Sequence, residues 1–187
     1  MVGPVLASTL LGAFVLVTLP ACGLTELQQD EVGEAPRCAA TQTWPAEFAA
    51  LENEFADAVA GLRDTGAMCG DVELDGVGDL VFVPELRCAA RLDATERVQA
   101  GDIDRDSTAI TSAFERVNLA GYDGIIRHQF IAADFFDAVA LFNGWVGSDE
   151  HCNALLDKTL DHIGVGHSRS ADDASAVWVV FTGEERD

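Results

Sequence analysis

Lysine is nearly missing from this chain. Lys158 is the single one in 187 residues, and 11 Lys plus Arg face 32 Asp plus Glu, for a formal net charge of -21. Most of such a surface repels a phosphate backbone or an anionic bilayer, which excludes nucleic acid as a partner. No C-x-x-C pair occurs, so a zinc-ribbon or thioredoxin-like reading lacks its signature. No G-x-S-x-G motif marks a serine nucleophile, and no internal repeat marks a solenoid. Hydrophobic residues at 49% and charged residues at 23% exclude a disordered chain, and the length suits one ordinary domain.

What is present begins with an uncharged apolar run, Val5 to Leu19, long enough for a signal-peptide core and shorter than the roughly 20 residues of a spanning helix. It ends in Leu19-Pro20-Ala21-Cys22, which resembles a bacterial lipobox whose cysteine becomes the lipidated first residue. The expected organisation is a signal peptide over 1–21, a lipidated tether over 22–43 and a folded domain over 44–187. The chain is then exported to the cell envelope or beyond, and it touches a membrane through the lipid on Cys22 alone. Without Cys22 the cysteines are Cys38, Cys69, Cys88 and Cys152, an even set that fits two disulfides in an oxidising compartment with three connectivities open.

Apolar residues Phe48, Leu51, Phe55, Val59 and Leu62 recur at helical spacing, and Gly66 ends the pattern. A Gly/Asp-rich loop follows from Gly70 to Asp79, and Pro84 opens a second helix over Glu85 to Ala100, closed by Gly101. Ser112-Ala113-Phe114-Glu115 is a capping box for a short helix ending at Gly121. Ile125 to Ile131 alternates like a strand, Asp134 to Trp145 returns to helical spacing with Phe135, Phe136 and Trp145 in the core, and Ser148 caps a short helix through Leu156. Ile163 to Ser168 and Ala176 to Thr182 form a hairpin. These elements predict an α+β layer fold with one small antiparallel sheet.

The C-terminal half carries Arg116, Ala120-Gly121-Tyr122, Ile131-Ala132-Ala133, Trp145-x-x-Ser148, His151-Cys152, Ile163-Gly164-Val165-Gly166 and a strand around Trp178, in that order. Upstream stand Arg63-x-x-Gly66-x-x-Cys69-Gly70 and Leu86-x-x-Ala89-Ala90. The string resembles the bacterial branch of the CAP superfamily, the SCP domains of cysteine-rich secretory, antigen-five and pathogenesis-related-one proteins, over about residues 45 to 183. The resemblance implies a three-layer α-β-α sandwich. It also implies a bond between Cys69 and Cys152, from the family's "CG" and "HC" segments, which leaves Cys38 with Cys88.

The family's cleft gathers two histidines and acidic residues, and in many members it can hold a divalent metal. His151 matches one of those histidines. The other falls on Arg105, and the acidic residue of the "GENIA" segment falls on Gln129. Zinc takes three or four N, S or O ligands, and these replacements remove both ligands and charge. His128, His162 and His167 do not rebuild the site, because strand alternation sends His128 and Gln129, and likewise His162 and His167, to opposite faces. Asp102-x-Asp104-x-Asp106 opens like a calcium loop, but Ser107 and Ala113 stand where the turn Gly and closing Glu belong, so a solvated acidic loop with at most weak divalent cation binding is expected. Ser148 and His151 lie three apart, yet a capping serine is already occupied by backbone donors, which argues against a Ser-His nucleophile pair.

The leading reading is a cell-envelope lipoprotein with a divergent CAP domain, a noncatalytic ligand-binding or interaction module using Arg105, Gln129 and His151 as hydrogen-bonding groups and no cofactor. Its ligand is an unknown small molecule, a lipid, an envelope component or a protein. Two alternatives stand behind it: a hydrolase in which His151 is a general base or metal ligand, and a structural surface protein with a vestigial cleft.

Overall fold

The computed structural model describes residues 31–101 and 112–186. The apolar N-terminal run, Cys22, Arg105 and the Asp102, Asp104 and Asp106 run lie outside the described residues. A 3-10 turn at Pro36–Thr41 precedes α1 (Ala46–Thr65), β1 (Ala67–Cys69), β2 (Val72–Leu74), β3 (Val81–Phe82) and α2 (Pro84–Ala100). Then come α3 (Ala113–Leu119), β4 (Ile125–Ala133), α4 (Ala138–Val146), α5 (Asp149–Leu155), β5 (His162–Arg169) and β6 (Ala176–Glu184).

The main sheet has the order β3-β5-β6-β4, with β3 parallel to β5 and the other pairs antiparallel. β1 and β2 make a separate hairpin where composition reads only as loop; three-residue strands carry too little alternation to register in sequence. Two apolar layers flank the sheet. Phe55, Leu141, Trp145, Phe130, Ile163, Val165, Trp178 and Val180 fill the one under α1, α4 and α5. Leu86, Ala90, Val117, Val177, Val179 and Phe181 fill the one under α2 and α3. The result is the α-β-α sandwich.

Alternation along β5 explains its glycines. Ile163 and Val165 enter the first layer, so Gly164 and Gly166 face α2, where a side chain would meet the helix backbone at Leu86–Arg87 and Ala90–Arg91. The helix lies directly on the strand. β3 covers only the start of β5. Further along, Glu52 of α1 closes the edge: its Oε1 accepts from the His167 N–H at 2.9 Å and from Trp44 Nε1 at 2.9 Å, while Oε2 accepts from Arg91 Nη2 at 2.6 Å and Nε at 2.9 Å.

Disulfides join Cys38 to Cys88 and Cys69 to Cys152, each with Cα atoms 5.5 Å apart. Loop closure over such spans contributes roughly 4 kcal/mol apiece. The first bond corrects the expected tether: Pro36–Thr41 is packed against α2, with Cys38 and Thr41 buried, so the folded region reaches back before residue 44. Phe136 is also corrected. α4 starts only at Ala138, capped by Asp137, whose Oδ1 accepts from the Ala140 N–H at 2.8 Å, which leaves Phe136 41% exposed beside Arg169, while Trp145 is buried.

Candidate functional site

The site begins with an irregularity in β4. The register shifts between Ile126 and His128, so Arg127 is the extra residue of a bulge. Ile126 therefore packs in the α2 layer, while His128, Phe130 and Ala132 all face the α4–α5 layer. The His128 ring stacks on Phe130 with centroids 5.4 Å apart. The Trp145 ring, arriving from α4, packs on Phe130 at 5.3 Å. His151 on α5 lies parallel to Trp145, at 5.5 Å and an interplanar angle of 9°, and also meets Phe130 at 6.0 Å.

Ser148 occupies the N-cap position of α5 but makes no capping bond. Its hydroxyl instead shares a 2.9 Å hydrogen bond with His151 Nδ1. The sequence expectation that capping keeps these two apart is thus overturned. The imidazole, packed against Trp145 and Phe130, presents its Nδ1 to the hydroxyl.

Beyond α5, Asp157 Oδ1 accepts from the Thr159 N–H and hydroxyl, each at 2.8 Å, and Oδ2 lies 3.7 Å from His128 Nε2. Those donors, first of all the Thr159 N–H, hold the Asp157 carboxyl below its usual range. The segment is anchored from inside: buried Arg63 donates to the carbonyls of Gly78, Leu155, Asp157 and Leu160 at 2.7, 2.7, 3.0 and 3.3 Å. Together these elements border an open groove of about 970 Å³ whose walls include His128, Phe130, His151, Asn153, Asp157 and Lys158.

Gln129 borders the same groove through its main chain, but its side chain takes the other face of the sheet. There Nε2 donates to Asp93 Oδ2 at 2.6 Å. Asp93 Oδ1 in turn accepts from Arg97 Nε at 3.0 Å and meets Arg116 at 3.2 Å, and Arg116 also reaches Glu96 at 2.8 Å. Burial pushes the Asp93 carboxyl up, against the pull of the two guanidiniums. His151 and the Gln129 amide are therefore not brought together, and Arg105 is outside the described residues. His128 and His151 instead share the Phe130 ring and the groove. His162 is part of a third arrangement, its Nδ1 3.0 Å from the Tyr122 hydroxyl, and His167 is buried between Trp178 and Phe48.

The profile of the cysteine-rich secretory protein (CAP) family matches residues 56–182. The chain belongs to this family. Among solved structures this CAP domain is similar to an extracellular SCP-domain protein of Bacillus anthracis, with 17% identity, a TM-score of 0.59 and 73% of this chain covered. The match spans 41% of that longer protein. It is also similar to an outer surface protein of Borrelia burgdorferi, at 18% identity and TM-score 0.56, covering 73% of this chain and 94% of the other. The venom allergen-like protein 4 of Schistosoma mansoni matches at 13% identity and TM-score 0.50, covering 76% and 91%. At such identities the likeness is one of fold. No curated protein matches the chain.

Members of the CAP family can hold a divalent metal in the cleft, and the donors described here do not fit one. Nδ1 of His151 is bonded to Ser148, the position of the family's carboxylate is an amide turned to Asp93, and among the described residues no three His, Cys, Asp or Glu groups converge on an ion. Sequence reasoning missed Asp157 and Lys158, and weighed His128 only as a metal ligand, although it placed that side chain opposite Gln129 as found. The Asp-x-Thr turn at Asp157 was a readable signal; the bulge that turns Ile126 to the other layer had none.

Proposed function

We propose that this chain is an exported, lipid-anchored envelope protein whose CAP domain is a noncatalytic binding module, with the groove between β4 and α5 as its binding surface and His151 as a hydrogen-bonding group. The apolar run before Cys22, the lipobox-like Leu19-Pro20-Ala21-Cys22 and two disulfides support export into an oxidising compartment.

The observation that carries the reading is the setting of His151. In a Ser-His hydrolase the serine holds one ring nitrogen and a carboxylate orients the other. Here the serine sits on Nδ1, the ring is oriented by stacking on Trp145, and among the described residues no carboxylate hydrogen-bonds His151. Such a ring is well placed to line a partly aromatic groove, where its remaining nitrogen meets a ligand.

Calorimetric zinc titration of the full chain beside its His151→Ala variant tests the metal-free, noncatalytic part. No site tighter than about 10 μM, roughly -7 kcal/mol, is expected; one that vanishes in the variant overturns the reading. Nuclear magnetic resonance of the His128 and His151 rings during titration with phospholipid vesicles, cell-wall fragments or peptides tests the binding part. At least one class should shift both rings, and silence from all three defeats the assignment.

A further inference from the structure

We propose that the outer edge of β4 docks an extended peptide segment of a partner protein, adding a strand to the sheet, with a carboxylate of that segment received by Lys158. This rests on the binding reading above and names the class of ligand.

Among the described residues β4 is the last strand of its sheet. The Asp134 N–H donates to the Ala176 carbonyl at 2.8 Å, which sets the phase of the β4–β6 ladder. Antiparallel neighbours alternate between bonded and non-bonded pairs, so His128, Phe130 and Ala132 turn their main-chain groups to β6. Gln129, Ile131 and Ala133 turn theirs away from it. The other side of β6 gives the same phase: the Ser170 N–H donates to the Ser175 carbonyl at 2.9 Å, so β6 serves β5 through Val177, Val179 and Phe181 and β4 through the residues between.

This explains why Gln129 and Ile131 border the groove although their side chains lie on the opposite face. What they show the groove is main chain. The open stretch is bounded by the bulge at Arg127 and by Asp134, whose φ of 62° ends the extended run. Residues 129–133 at about 3.3 Å each give an edge of roughly 16 Å, enough for a short strand of a partner. An added strand would direct alternate side chains at the rings of His128, Phe130 and His151, which favours apolar residues at those positions.

Charge selects the partner. Arg127 is paired with Glu184, Asp157 is engaged by Thr159, and exposed Glu150 on the α5 side of the groove repels a carboxylate there, which leaves the Lys158 end as the place for one. Lys158, exposed at the groove, makes no ion pair among the described residues. It is the only lysine of a chain with net charge -21. An incoming carboxylate therefore finds its counter-charge there. A second copy of this chain would bring another net charge of -21, and its repulsion disfavours edge-to-edge pairing of two copies.

The probe is a capped six-residue peptide of alternating Val and Thr with one central Glu, added to the isotopically labelled full chain, with amide exchange followed residue by residue. With the peptide at about ten times its Kd, exchange at Gln129, Ile131 and Ala133 is expected to slow about tenfold, with the His128, Phe130 and Ala132 amides unchanged. Lys158→Glu should weaken binding several-fold, and a peptide with Lys for Glu should bind that variant better than the parent. Ile131→Pro removes an outward N–H without touching the β6 ladder and should abolish strand addition. Ring shifts at His128 and His151 without protection of the three amides overturn strand addition and leave the groove a binding site of another kind. Slow exchange of those amides before peptide is added, or no response of amides or rings, overturns the proposal as well, and in the second case the vesicle and cell-wall arms decide whether the groove binds anything.

Discussion

Glu52 and Arg91 meet at 2.6 Å with their side chains almost wholly buried, and the same carboxylate closes the edge of β5 through the His167 N–H. A pair so placed is not a surplus charge on an acidic protein; it joins α1, α2 and the sheet. Removing one partner leaves the other charge buried without compensation, which typically destabilises by about 3–5 kcal/mol. Glu52→Gln should lower the urea midpoint accordingly, and replacing both residues by apolar ones of similar volume should not recover the loss, because the buried His167 N–H would lose its acceptor, as would Trp44 Nε1. An unchanged midpoint in Glu52→Gln would show that the pair does not hold these elements.

His167 gives the protein an acid-side dependence. Burial, and next the nearby Arg169, lower its pKa from 6.5 to about 4. The folded state therefore binds fewer protons than the unfolded chain between those values, so stability falls as pH drops from about 6.5 to about 4. The shift corresponds to about 3 kcal/mol at full extent. His167→Gln should remove that part of the slope. Urea unfolding of both proteins at intervals of pH measures it, and parallel curves would refute the assignment.

Arg63 is the inner fastening of the groove. Four main-chain carbonyls depend on its guanidinium, and two of them, Leu155 and Asp157, flank the wall. Arg63→Leu should destabilise by about 3 kcal/mol or more, because charged hydrogen bonds are lost and buried carbonyls stay unpaired. Arg63→Lys should rescue little, since an ammonium lacks the fork that reaches several loops. Ring shifts of His128 in the Lys variant would report the loosened wall.

Gly166→Ala should destabilise by about 1–3 kcal/mol or beyond, since the new methyl points into the α2 backbone. The unfolding temperature is the readout. Gly61→Ala, on the exposed side of α1 with nothing near its added methyl, is the control and should be neutral or stabilising.

Local signals were legible in the sequence where one residue suffices. Pro84 and Gly101 bound α2, Ser112 accepts from the Glu115 N–H as its capping box requires, and the β5–β6 hairpin matches its two apolar runs. What escaped depends on partners far along the chain. The two-residue strand β3 exists only because β5 lies beside it, and the bulge at Arg127 only because β6 fixes the register. Alternation from Phe130 puts His128 on the groove face, but only the bulge sends Ile126, two residues earlier, to the opposite layer. Likewise Gln129 finds Asp93 across 36 positions, a bond that no local pattern announces. Cysteine counting left three pairings, and the family's segments pointed to the one found.

The Cys38–Cys88 bond also decides how the domain meets mechanical load. A pull on the N-terminus enters at Cys38 and crosses directly into the second turn of α2, which lies on β5 and β6. The stretch between the two cysteines, with α1 and the β1–β2 hairpin, is bypassed by the force and cannot be peeled from the sheet residue by residue. A domain held at one end and pulled at its groove would resist as a single block, and reducing that one bond would turn it into a chain that unzips from α1.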